Sequence, residues 1–268
     1  MFKTDDKVVQ ISLAVSYAIM AMYAMINFFN PDYIISNYAS LEPNNTNVFF
    51  LIWFGMMNFG AVAGLIYMGY KGLDRGYFAY AIPLSLLFVY WGYSGQSSLP
   101  ADQQNYTATV MLGINFIALL IARIRGMGAF NIEKASVMWG TEDKLVQAIL
   151  WVALIGQAVF VIQYVINPGS FIEQTPGLEM SDVGLRFSMG LMFFALAWVS
   201  TLLYQLRCGY SMTMIVAGLV ISSLFFMTFL NFLVNGQVED GGNTQLTVVI
   251  ILNFVGSLIL FFRLQSKH

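Results

Sequence analysis

Eight stretches of about twenty residues run through this chain with almost no charge in any of them. A helix of that length spans the ~30 Å hydrocarbon core of a bilayer, and in water nothing would cover its apolar surface. The stretches lie near 8–29, 47–70, 77–94, 106–125, 145–166, 184–206, 210–234 and 244–264. Only 10% of the residues are charged, against about 25% in a soluble domain. The expected fold is therefore all-α, a polytopic integral membrane protein with eight transmembrane helices.

Charge fixes the direction of threading. Basic residues collect on the cytoplasmic side of a membrane. With the N-terminus inside, Lys3, Lys7, Lys71, Arg75, Arg123, Arg125, Lys134, Lys144, Arg207, Arg263 and Lys267 all fall inside. Arg186 alone falls outside, and a frame with one helix missed would scatter the rest. Both termini are thus expected in the cytoplasm. Residues 1–7, MFKTDDK, are too acidic for a signal n-region, so the first helix is expected to act as its own insertion signal. Compact loops point to a bacterial cytoplasmic (inner) membrane. The net charge of −2 leaves no footprint for nucleic acid.

The chain repeats itself. TDDKVVQ at 4–10 returns as TEDKLVQ at 141–147, an offset of 137 residues. The same offset carries Leu13 to Leu150, Asn30-Pro31 to Asn167-Pro168, and Leu41-Glu42 to Leu178-Glu179. An offset of 138 carries Asn115-Phe116 to Asn253-Phe254 and Arg125 to Arg263. Four helices return a chain to the side it started from, so the two copies run the same way. The expectation is two parallel four-helix repeats, related by a pseudo-two-fold axis along the membrane normal. Residues 1–125 form the first, 126–140 a cytoplasmic interfacial linker, and 141–268 the second. Thr4 and Thr141 can cap the first helix of each copy, with the acidic residues beside them at the positive first-turn amides. The Asn-Pro pairs are expected to end those helices.

Chemistry is limited by what is missing. One cysteine, Cys208, and one histidine, His268, cannot supply the usual donors for zinc, bis-histidine haem or iron–sulfur clusters. No lysine lies inside a predicted span, which removes a retinal Schiff base. The spans carry no Asp or Glu pairs for metal–phosphate chemistry, so no catalytic residue and no metal site is expected.

The candidate ligand-binding residues are the polar and aromatic groups left at membrane depth. Arg186 stands at the outer end of the sixth helix, where it can snorkel, pair with Asp182, or anchor an anionic headgroup. Asn58, Asn115 and Asn253 sit inside spans, with Gln157, Gln163 and Asn231. Such amides serve as glue between helices or as the lining of a polar pocket. Tyr90, Trp91 and Tyr93 lie together at an outer helix end. They belong to an aromatic belt or form a stacking surface for a flat lipophilic molecule. Gly60 and Gly64 form a G-x-x-x-G that permits close helix approach.

One stretch carries a resemblance. LRFSMGLMFFALAWVSTLL at 185–203, with Arg186 four residues before Gly190 and an Asn-Pro-terminated helix before it, resembles the small four-helix DoxX-like membrane proteins. FFLIWFGMMNFG in the first half lacks the arginine. Those families include subunits attached to membrane oxidoreductases, so the resemblance implies a protein that works in company.

Two functions fit. The first is a non-catalytic accessory or scaffold subunit of a membrane complex, holding lipid or a lipophilic cofactor such as a quinone or carotenoid. Its partners would be membrane lipids and other membrane subunits, or further copies in a homo-oligomer. The second is a small transporter or channel for a neutral or weakly polar solute, its path between the two repeats.

Overall fold

A computed structural model describes residues 4–37, 44–97, 99–128, 142–175, 178–208, 211–234 and 244–265. The described residues are all-helical, with a single 3₁₀ turn at Ala101–Gln103. Eight long helices are α1 (Lys7–Phe29), α3 (Asn45–Lys71), α4 (Arg75–Ser97), α5 (Thr107–Met127), α6 (Lys144–Ile166), α8 (Asp182–Cys208), α9 (Met212–Val234) and α10 (Thr244–Gln265). Two short ones are α2 (Pro31–Asn37) and α7 (Gly169–Glu173). Each long helix overlaps one predicted apolar stretch. Four of them, α1, α3, α5 and α6, are long and apolar enough to cross a membrane.

The predicted third stretch, 77–94, proves short at both ends. Asp74 accepts a 2.8 Å hydrogen bond from the Gly76 amide, which lets α4 start at Arg75. The helix then runs through Pro83 without a break.

Each Asn-Pro pair makes a corner. The Asn30 amide donates to the Ile26 carbonyl at 2.9 Å, closing the last turn of α1, and Pro31 opens α2. Proline suits that place because the first turn of a helix has no use for its missing N–H. Asn167 donates to the Gln163 carbonyl at 3.3 Å in the same way, and Pro168 leads into α7.

The expected threonine caps are corrected. Asp6, not Thr4, caps α1. Its carboxylate accepts from the Val8 and Val9 amides at 2.8 and 3.3 Å. Asp143 caps α6 identically, accepting from Leu145 and Val146 at 3.1 and 3.3 Å. Thr141 and linker residues 129–140 lie outside the described residues. A carboxylate outranks a hydroxyl at the positive end of a helix dipole, because it adds charge to the hydrogen bond. Thr4 serves the turn instead. Its carbonyl accepts from the Gln10 side chain.

Each capping carboxylate also holds an arginine from the end of the fourth long helix of its own half. Arg125 Nε lies 2.9 Å from Asp6, and Arg263 Nε lies 2.7 Å from Asp143. The sequence repeats both partners, and the structure repeats the bond. The Arg125 guanidinium holds the Asp6 carboxyl below the usual carboxylate range. A carboxyl with a depressed folded pKa stabilises the fold above its unfolded pKa and loses that contribution as pH falls through the folded one. Thermal melts should therefore fall off below the ordinary carboxylate pKa. Asp6→Asn should flatten that acid limb while lowering stability at neutral pH. An acid limb unchanged in the variant would remove Asp6 from the account.

The long helices form a closed circuit of packed pairs. It runs α3–α1–α5–α4–α8–α6–α10–α9 and returns to α3, with α3 also meeting α8, and α4 meeting α9. Of the four apolar helices, α3 is the inner one. Its apolar window is 72% buried, against 39% for α1, 28% for α5 and 24% for α6. Small residues let it sit there. A Cβ on Gly60 would come 2.9 Å from the Ala217 carbonyl of α9, and one on Gly64 would meet the Tyr77 ring at 2.8 Å. Lipid tails offer no hydrophobic drive for helix pairing, so such close van der Waals contact is what holds these helices together. Phe50, Trp53, Phe171 and Phe225 pack around the N-terminal half of α3, with Trp53 and Phe225 edge to face at 4.8 Å.

The two halves are tied near both ends. On the side of the Asp6–Arg125 pair, Ser211 at the start of α9 donates to Asp74 at 2.6 Å. On the opposite side, Thr46 Oγ1 donates to the Glu179 carbonyl at 2.9 Å and accepts from the Glu179 amide at 2.6 Å.

Candidate functional site

Three of the candidate residues meet around one cavity. It has a volume of about 150 Å³ and lies among α1, α3, α4 and α5, with Ile34 of α2 and Arg186 of α8 at its rim. Phe54, Phe88, Leu51 and Leu112 supply apolar wall, and Trp91 closes one side with its ring 5.1 Å from that of Phe54. For scale, an engineered apolar cavity of about 150 Å³ holds a benzene ring.

Polar groups share the lining with these apolar ones. Asn58 projects from α3 and donates to the Phe54 carbonyl at 2.8 Å, one turn back along its own helix. That leaves its amide oxygen without a hydrogen bond to another described residue. Asn27 projects from α1 and is 93% buried, and its side chain makes no hydrogen bond to a described residue. Gln96 ends α4 and accepts from the Asn105 amide at 2.8 Å, which fixes the turn into α5. Arg186, half-buried in the first turns of α8, is the one charged side chain in the lining among the described residues.

The helix periodicity of α4 explains why its aromatic stretch divides. Successive residues step by about 100° around a helix. Trp91 therefore faces the cavity, while Tyr90 and Tyr93 face outward with 62% and 56% exposure. The Tyr93 ring lies 5.9 Å from that of Tyr106. The three do not form one stacking surface.

The remaining amides divide too. Asn115 is buried between α5 and α1 and accepts a 2.7 Å hydrogen bond from Ser16. Asn253 is only half-buried and lines a second cavity, of about 100 Å³, with Gln157. The side chain of Asn231 lies outside the described residues.

Sequence reasoning missed Asn27 and Gln96. Asn27 falls one turn from the end of a predicted span, where a polar residue looks like an interface anchor. Its placement inside span 8–29 was the available signal. Gln96 lay beyond the predicted end of its helix.

The first cavity can hold an apolar body and hydrogen-bond a polar head. Arg186 adds a fork of donors suited to a carboxylate or phosphate oxygen pair. Among the described residues no three His, Cys, Asp or Glu side chains converge as metal ligands would.

The resemblance of residues 185–203 to DoxX-like proteins gains no family assignment from comparison. Set against known protein families, curated proteins and solved structures, the chain matches none of them.

Proposed function

We propose that the chain is a non-catalytic membrane protein that holds a lipid or lipophilic cofactor, as an accessory subunit of a larger membrane complex. The carrying observation is the cavity that brings Arg186, Asn58, Trp91 and Asn27 together beside apolar wall. Ligand sites are concave, mostly apolar and set with a few convergent polar groups, and this one has that composition. An amphipathic molecule would lay its body against Phe54, Phe88 and Trp91 and its head near Arg186.

The membrane arrangement belongs to the same proposal. Eight helices of 21 to 27 residues are each about 30 Å long or more, at about 1.5 Å per residue. That length supports eight spans; the basic residues of the sequence support both termini on the cytoplasmic side, and a bacterial inner membrane is part of the same proposal. Helix pairing supports two parallel four-helix units about an axis along the membrane normal. Exchanging the halves turns α1–α3, α1–α5 and α4–α5 into α6–α8, α6–α10 and α9–α10, all packed pairs. It turns α3–α9 into α8–α4, also packed. The Asp6–Arg125 and Asp143–Arg263 pairs exchange in the same way.

A transport path between the units is the weaker reading. Gly60 brings α3 within contact of Ile221 and Ala217 on α9, where such a path would run.

Gentle native extraction with mass spectrometry of everything that co-purifies tests the proposal. The expected result is a stoichiometric membrane assembly carrying a bound amphiphile, with Arg186→Ala retaining about tenfold less of it, as loss of a charge-assisted hydrogen bond predicts. A wild-type chain that arrives alone and carries no molecule that Arg186→Ala loses would end it.

A further inference from the structure

The two halves treat one polar position differently. In the first, Asn115 on α5 is closed off by a 2.7 Å hydrogen bond from Ser16 on α1. The sequence offsets carry Asn115 to Asn253 on α10 and Ser16 to Ala153 on α6. A methyl stands where the hydroxyl would be, so Asn253 lacks the donor its counterpart has. One turn further along, Met20 of the first half is replaced by Gln157. One polar partner has gone and a longer one has come in a turn further along.

A cavity of about 100 Å³ lies against Asn253 and Gln157. Gln157, Asn253 and Ser257 line it, and their side chains make no hydrogen bond to a described residue. Ser222 also lines it and donates to the Leu219 carbonyl at 3.2 Å, which leaves its oxygen free to accept. Trp53 and Trp198 provide apolar wall. No described charged side chain is in the lining. These residues lie near the middles of their helices, where hydrocarbon would surround the bundle and unmatched polar groups are costly.

We propose that this second cavity is a binding site for a small neutral molecule, one that carries a carbonyl or hydroxyl oxygen on an apolar body. Two primary amides supply donors and acceptors together, so they satisfy either oxygen. The absence of a cation in the lining sets the site apart from the one at Arg186. At about 100 Å³ the cavity is smaller than the benzene-holding one of about 150 Å³, so it takes the oxygen-bearing end of such a molecule and leaves part of the apolar body outside. The site does not depend on the function proposed above.

The test uses three single-ring probes of nearly one shape: acetophenone, α-methylbenzyl alcohol and ethylbenzene. Melting of the detergent-solubilised protein is followed at matched probe concentrations. The two oxygenated probes should bind about three- to tenfold more tightly than ethylbenzene, the worth of one hydrogen bond. Asn253→Leu should erase that preference. Ala153→Ser, which restores the first half's donor, should raise the melting temperature without probe and weaken the oxygenated probes. This variant carries the test if Asn253→Leu does not fold. Arg186→Ala should leave the preference intact, which keeps this site's failure distinct from the other's. Equal binding of all three probes to the wild type would overturn the inference and leave water as the occupant. So would a preference that survives Ala153→Ser at full strength.

Discussion

Replacing Gly55 with valine should lower the melting temperature by roughly 6–12 °C, from about 3 kcal/mol of overpacking at about 2–4 °C per kcal/mol for a chain this large. Gly55 lies where α3 crosses α1. A Cβ there would stand 2.7 Å from the Phe28 nitrogen, 2.8 Å from its Cβ and 2.9 Å from its Cα. Those are backbone atoms and the root of a side chain, so no rotamer change can clear them and the helices must part. Gly55→Ala should also melt lower, even though alanine is worth about 1 kcal/mol more than glycine in a helix interior. Gly113 and Gly156 provide the controls. A Cβ at either meets nothing within 4 Å, so alanine there should be neutral or stabilising by up to about 1 kcal/mol. A Gly55→Ala protein that melts as high as Gly113→Ala would show that α1 and α3 do not cross at this point.

Asn115→Leu should produce the next largest loss. It would strand the Ser16 hydroxyl, whose position is fully buried, and force a branched apolar group against it. Leaving a buried polar group unmatched costs about 1–3 kcal/mol, and the Ser16–Asn115 bond itself is worth about 0.6–2 kcal/mol by the precedent of helix bundles in membranes. Ser16→Ala should cost less than Asn115→Leu. The double variant Ser16→Ala/Asn115→Leu should melt higher than the sum of the single losses predicts, because the first change removes what the second would strand. Strict additivity in that cycle would mean the bond contributes nothing. Asn253→Leu, at the equivalent position, should change the melt little, since it fills open space and breaks no bond.

These contrasts define what a sequence can carry. The positions of the long helices came through because a run of about twenty apolar residues records a helix of that length directly. The Asp6–Arg125 and Asp143–Arg263 pairs were visible as repeated letters but not as bonds, since nothing in a one-dimensional offset says which repeated residues touch. The capping residue was misassigned because Thr4 and Asp6 both satisfy the chemistry of a cap, and backbone angles decide between them. Of the candidate residues, Arg186, Asn58 and Trp91 converge because three helices happen to turn those faces inward. That rotation is a packing outcome. Tyr90 and Tyr93, one and two steps around the same helix, show how little sequence proximity predicts it. Ala153 is the extreme case. An alanine in a membrane helix carries no signal at all until the serine at its counterpart is seen holding an asparagine.

The circuit of packed helices has a consequence for how such a molecule comes into being. In sequence the chain divides cleanly at the join between its halves. In packing it does not, because α3 leans on α9 and α4 on α8, so each half is an open arc whose gap the other half fills. Two arcs of this kind interlock as a pair of hooks does. A single-copy ancestor would have met the same requirement by pairing with itself, and joining two copies in one chain frees each to change without spoiling the other. The divergence between Ser16 and Ala153 is the form that freedom would take. Symmetry of that kind would be the means by which one molecule comes to carry two dissimilar interiors.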